Sequence, residues 1–118
     1  MIDKLLNDIK DKVEIFDNEI KNHKSQIAKL TQKGTSSAKI YIRKDKSGKS
    51  GETIETYYFI FPQKNGKRRK EYIGRDEDNI FEAKKKIERY KIRSGLIEEL
   101  EYNEGKKDQL LCKLKSIL

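Results

Sequence analysis

The sequence predicts an α+β fold: a long N-terminal heptad helix, a small three-stranded antiparallel β-sheet, and a long C-terminal helix packing antiparallel on the first. Three observations predict it. Apolar residues in the first third recur at alternating spacings of three and four, the middle third is β-branched and aromatic around an Asn65-Gly66 turn, and an acidic cluster then opens a second apolar stripe.

The first element spans residues 1–33. Ile2, Leu6, Ile9, Val13, Phe16, Ile20, His23, Ile27 and Leu30 form a heptad seam, Leu5 and Ile15 widen it locally, and Gly34 with Thr35, Ser36 and Ser37 stops the helix. Such a seam needs a partner, which is either the second helix or another copy of the chain in a homodimer. Heptad spacing is the same in both cases. His23 holds a core position, where a lone polar residue sets pairing register; with no second His and no Cys near it, no metal role is expected.

The middle element spans residues 39–75. Lys39 to Lys44, Ile54 to Phe61 and Lys67 to Ile73 read as strands, and Asn65-Gly66 fits a type I′ turn, which needs positive φ at both central residues. A two-residue loop there pairs Lys64 with Lys67, Phe61 with Lys70, Phe59 with Tyr72 and Tyr58 with Ile73. One face then carries Tyr57, Phe59, Phe61, Tyr72, Lys70 and Arg68, and the other Tyr58, Ile60, Ile73, Glu71 and Arg69. Pro62 marks an edge strand or the end of pairing.

The last element spans residues 78–118, with Asp78 or Asn79 as the expected cap. Ile80, Ala83, Ile87, Tyr90, Ile97 and Leu100 mark its stripe, and Leu110, Leu111, Leu114, Ile117 and Leu118 continue it. Gly95 and Gly105 leave open whether this helix is interrupted. Cys112, among those leucines, reads as a buried helix residue.

Of the 118 residues, 41% are charged and 34% hydrophobic, a balance suited to long helices with a narrow apolar seam. One cysteine excludes an internal disulfide and any multi-cysteine metal site. The N-terminus is acidic from Asp3 and carries no unbroken apolar run, so neither a signal peptide nor a membrane span is expected, and the expected location is the cytoplasm.

The net charge of +8 is unevenly distributed. Lys and Arg number seven against six Asp and Glu over residues 1–38, eleven against four over 39–75, and ten against ten over 76–118. A basic, aromatic β-module carried by near-neutral helices suits a polyanion, and nucleic acid above all, with DNA preferred to RNA. The contact residues expected are Arg43, Lys44, Lys46, Lys49, Lys64, Lys67, Arg68, Arg69, Lys70 and Arg75. The run Lys67-Arg68-Arg69-Lys70 is the sharpest candidate, because four consecutive cations on a strand splay to both faces. The bland account is an edge strand protected by charge. Lys84, Lys85, Lys86, Arg89, Lys91 and Arg93 on the following helix either extend that surface or form a solvated face.

Other chemistry fits poorly. Ser47-Gly48-Lys49-Ser50 resembles the end of a phosphate-binding loop, but the earlier glycine is replaced by Arg43 and a strand follows where a helix is required. No nucleophile, base and orienting group can be assembled, so no enzyme and no cofactor are expected.

The segment from Tyr57 to Arg75, followed by a helix with Glu82-Ala83, resembles the sheet-plus-helix arm-binding domains of phage and transposon tyrosine recombinases, and basic hairpins of other mobile-element proteins. That resemblance covers less than half the chain and does not include the heptad helix. It implies a three-stranded sheet laid into the DNA major groove without strand cleavage, with Lys67, Arg68, Arg69, Lys70 and Arg43 in contact. The leading expectation is a non-enzymatic protein binding double-stranded DNA in a mobile-element or regulatory setting. The alternatives are a coiled-coil adaptor or inhibitor docking a protein or protein–RNA complex through its β tip, and RNA binding by exposed aromatic stacking.

Overall fold

The structure is a computed structural model that describes residues 2–46, 48 and 51–118. Helix α1 runs Ile2–Lys33, strands β1, β2 and β3 run Lys39–Lys46, Thr53–Ile60 and Lys70–Gly74, and helix α2 runs Glu77–Ile117. The sheet is antiparallel in the order β1-β2-β3, so β2 is central. The fold is the α+β arrangement that the periodicities predict. No described helix is long and apolar enough to cross a membrane.

The chain divides into two compact units. Unit 1 comprises residues 1–32 and 92–118, and unit 2 comprises residues 33–91.

Unit 1 is an antiparallel helix pair. Its cross-links run in opposite chain directions: Asp17 meets Lys107, His23 meets Glu99, and Arg93 Nε donates to Thr31 Oγ1 at 2.9 Å. The heptad seam therefore pairs within the chain. Ile9 and Ile20 are buried, and Leu6, Val13, Phe16, His23, Ile27 and Leu30 are half-buried, whereas Ile2, Leu5 and Ile15 face solvent. From α2 the seam receives Leu96, Leu100, Leu110, Leu114 and Ile117 at heptad-like spacing, with Asn103 and Lys107 filling two intervening positions.

His23 and Lys107 in the seam each have a polar partner. His23 Nδ1–H donates to the Glu19 carbonyl at 2.7 Å, and Nε2 faces the Glu99 carboxylate at 2.9 Å. Hydrogen bonding to Asp17 raises the Lys107 ammonium above its ordinary pKa. A bond between specified positions on α1 and α2 fixes how far one helix can slide along the other, which apolar contacts alone do weakly.

Two expectations for α2 need correction. Its cap is Asp76, not Asp78 or Asn79: the Asp76 carboxylate accepts from the Asp78 N–H at 2.8 Å, and its carbonyl accepts the first helical bond from Ile80. Cys112 is exposed, because it lies between Leu110 and Leu114 on the opposite side of the helix from that stripe. The helix itself runs unbroken through both glycines.

In unit 2 the start of α2 is tied to the chain that follows α1. Arg89 Nε donates to the Gly34 carbonyl at 2.7 Å, and the Ser36 N–H donates to the Lys86 carbonyl at 3.1 Å. Ala38 and Ala83 are buried. One sheet face turns inward, where Lys84 Nζ lies over the Tyr57 ring and Ile40 shares a hollow with Ile87 and Tyr90.

A Cβ built at Gly105 meets no atom within 4 Å. Gly105→Ala should therefore stabilise the chain by about 0.5–1 kcal/mol in urea unfolding, since the helix gains propensity without a clash. A loss of stability would show that the helix is not regular there.

Candidate nucleic-acid interface

The hairpin between β2 and β3 determines where the cations go. Asn65 (φ 54°) and Gly66 (φ 76°) form the expected turn, and Lys64 and Lys67 exchange backbone hydrogen bonds at 3.1 and 3.0 Å. The expected register ends there. The next backbone bond runs from Phe61 N–H to the Arg69 carbonyl, so Pro62 and Gln63 stand opposite Arg68 alone. Pro62 has no N–H to offer, and the ladder passes it by a bulge.

That slip of one residue moves Lys70 to Tyr72 of β3 to the other face. Tyr58 opposes Tyr72, Phe59 opposes Glu71 and Ile60 opposes Lys70, in place of the expected Tyr58–Ile73, Phe59–Tyr72 and Phe61–Lys70 pairs. A second irregularity restores the original register, with Tyr57 opposite Gly74. The predicted face compositions are corrected accordingly: Tyr72 and Lys70 join Tyr58 and Ile60, while Glu71 and Arg69 join Phe59 and Phe61.

The outer face so formed is aromatic and cationic. Tyr41, Tyr58 and Tyr72 cross all three strands, with ring centroids 6.5 Å apart for the first pair and 5.7 Å for the second, the latter edge-to-face. Lys70 Nζ stands 4.4 Å from the Tyr58 centroid and 4.9 Å from that of Tyr41, and the Arg43 guanidinium lies over Tyr58 at 5.9 Å. Tyr72 is 67% exposed and Tyr41 44% exposed. A hydrogen bond to Asp45 at 2.8 Å, and then that carboxylate's charge, raises the Arg43 pKa above its ordinary value.

The other expected contact residues separate into groups. Lys64, Lys67, Arg68 and Arg69 surround the bulged hairpin, and Arg69 stacks on Phe61 at 4.3 Å while standing 3.7 Å from Glu71. Lys44 and Lys46 are exposed toward the far end of β1, away from that hairpin. Arg75 Nε donates to the buried Thr56 hydroxyl at 3.2 Å and so has a structural bond of its own. Lys49, with the rest of the loop considered as a phosphate binder except Gly48, lies outside the described residues.

Along α2, Arg89 and Arg93 are engaged with Gly34 and Thr31, which removes them from a purely solvated face. Among the described residues, no group of three His, Cys, Asp or Glu is placed to hold a metal ion. The sequence reading missed Tyr41 and Tyr58 as partners of Lys70. Only the register reveals that grouping, and the one usable signal was Pro62 four residues beyond Tyr58.

The boundary between the two units separates charge cleanly. Residues 33–91 hold 17 Lys and Arg against 9 Asp and Glu, a net of +8, whereas the remainder holds 11 of each. The whole net charge of the chain thus belongs to the unit that bears the sheet.

Gly74 supports the outer face. It has φ 109°, and a Cβ there would stand 3.3 Å from the Tyr72 ring. Gly74→Ala should destabilise unit 2 by about 1–2 kcal/mol and alter the tyrosine fluorescence, because both the backbone and the ring must shift. An unchanged melt would contradict this packing.

Comparison with protein-family models, characterised proteins and solved structures gave no match, so the chemistry of the sheet itself must carry the functional reading.

Proposed function

We propose that the chain is a non-enzymatic, cytoplasmic nucleic-acid-binding protein of a mobile-element or regulatory setting, holding double-stranded DNA through the sheet of unit 2. The observation that carries this reading is the confinement of the entire +8 charge to the 59 residues of unit 2. Phosphate contacts account for most non-specific affinity, and they require cations free to leave water. Lys64, Lys67 and Arg68 have no ion-pair partner among the described residues, and Lys70 and Arg43 stand on an open face.

The resemblance of Tyr57–Arg75 to arm-binding sheets supports the same geometry, with strands in the major groove and flanking cations on the backbone. The exposure of Tyr41 and Tyr72 supports a second reading, in which the outer face docks a protein.

Fluorescence anisotropy on duplex DNA, single-stranded DNA and RNA across a salt series tests the DNA reading. Duplex binding should weaken steeply with salt, and Arg68→Ala/Arg69→Ala should flatten the log–log slope by about two, one for each lost phosphate contact. Absence of binding to all three at low salt would contradict the DNA reading. A larger loss of nucleic-acid affinity from Tyr41→Ala/Tyr72→Ala than from the arginine pair, with folding intact, would replace phosphate contact by base stacking on the outer face.

A further inference from the structure

The bulge that displaces β3 also opens the hairpin. It is closed at the tip by the Lys64–Lys67 pair and at the base by the Phe61–Arg69 bond, and beside this opening the chain forms two adjoining hollows, both reaching Ser37 and the second also β1 at Lys39 to Tyr41. The first, of about 560 Å³, places Lys64, Lys67, Arg68 and Arg69 around Phe61 and Pro62. The second, of about 420 Å³, has Tyr41, Ile60 and the Gln63 amide in its wall. Arg68, Phe61 and Pro62 line both.

The two hollows differ in chemistry. Four cations line the first, and among the described residues the one carboxylate paired with any of them is Glu71, at 3.7 Å from Arg69. Their mutual repulsion is relieved best by a compact, multiply charged anion. A phosphate monoester carries close to two negative charges near neutrality and three acceptor oxygens, whereas an internal phosphodiester carries one charge. The second hollow offers the rings of Tyr41 and Phe61 and the aliphatic surface of Ile60, edged by the Gln63 amide, which both donates and accepts, and by the Lys39 and Arg68 cations. Those are the requirements of a nucleobase, with a stacking face and a polar edge. Each hollow falls within the size range of small-ligand sites.

We propose that the bulged hairpin binds one nucleotide carrying a phosphate monoester, either free or as the phosphorylated end of a strand. Lys64, Lys67, Arg68 and Arg69 take the phosphate, the wall containing Tyr41, Ile60 and Gln63 takes the base, and Arg68 stands between them. This goes beyond duplex contact. It shares Lys64, Lys67, Arg68 and Arg69 with that reading but does not require polymer binding.

The test is a ¹⁵N–¹H titration of the full chain with the four ribonucleoside 5′-monophosphates, adenosine and inorganic phosphate, followed by 5′-phosphorylated and 5′-hydroxyl oligonucleotides. At least one monophosphate or phosphorylated end should shift the amides of Phe61, residues 63–69 and Tyr41. It should bind about tenfold more tightly than its dephosphorylated counterpart or inorganic phosphate, and Arg68→Gln or Lys67→Gln should weaken it about tenfold at an unchanged melting temperature. Mononucleotide binding would identify a free ligand, and preference for the phosphorylated strand alone would identify a strand end.

Inorganic phosphate binding as tightly as any nucleotide, indifference to both substitutions, or no shift with any probe would overturn the proposal. A chain that binds closed-ended duplex yet ignores monoesters would keep the DNA reading and lose this one. The converse result would separate them in the other direction.

Discussion

A missing amide hydrogen at Pro62 decides which side of the sheet each residue of β3 occupies. Because Pro62 cannot donate to the ladder, two residues stand opposite one, and every side chain from Lys70 to Tyr72 changes face. Without that slip, Lys70 and Tyr72 would point toward the start of α2 with Phe59, and the outer face would lose two of its aromatic and cationic groups. The same bulge leaves Arg68 in an opening lined by three further cations. A single backbone defect thus creates both the open face and the hairpin hollow.

The two units divide the work by charge. Unit 1 has no net charge, and its seam is secured by the matched pairs Asp17–Lys107 and His23–Glu99 together with a single layer of apolar contacts. Unit 2 concentrates positive charge on a small sheet, a state that repels itself and persists because many cations lie on aromatic rings or in solvent. Lys70 is held over the Tyr41 and Tyr58 rings with no carboxylate paired to it among the described residues, and Arg69 lies over Phe61 with Glu71 at 3.7 Å. Such groups keep their charge available to an incoming anion, whereas Arg75 on Thr56 and Arg89 on Gly34 serve the fold.

The helical part of this architecture was legible because periodicity is a direct image of burial. Every seam residue of α1 from Leu6 to Leu30 is buried or half-buried, and Leu5 and Ile15, which break the spacing, are exposed. The turn at Asn65-Gly66 was equally legible, since positive φ at both positions needs those residue types. Sequence spacing beyond the turn could not reveal the register, which depends on an unmade hydrogen bond and not on the hydrophobic pattern. For the same reason, the list of cations was readable while their grouping was not. Cys112 was misplaced because neighbouring leucines in sequence are not neighbours on a helix face, and Asp76 was missed as the cap because three acidic candidates stand side by side.

The measurement closest to the central claim is a map of backbone amide shifts when closed-ended duplex DNA is added to the ¹⁵N-labelled chain. Changes should concentrate at Tyr41, Arg43, Tyr58, Lys70 and Tyr72 and around the hairpin, leaving the seam of unit 1 unmoved. Changes centred on the helices of unit 1, or on Tyr57 and Phe59 with the outer face silent, would contradict the account.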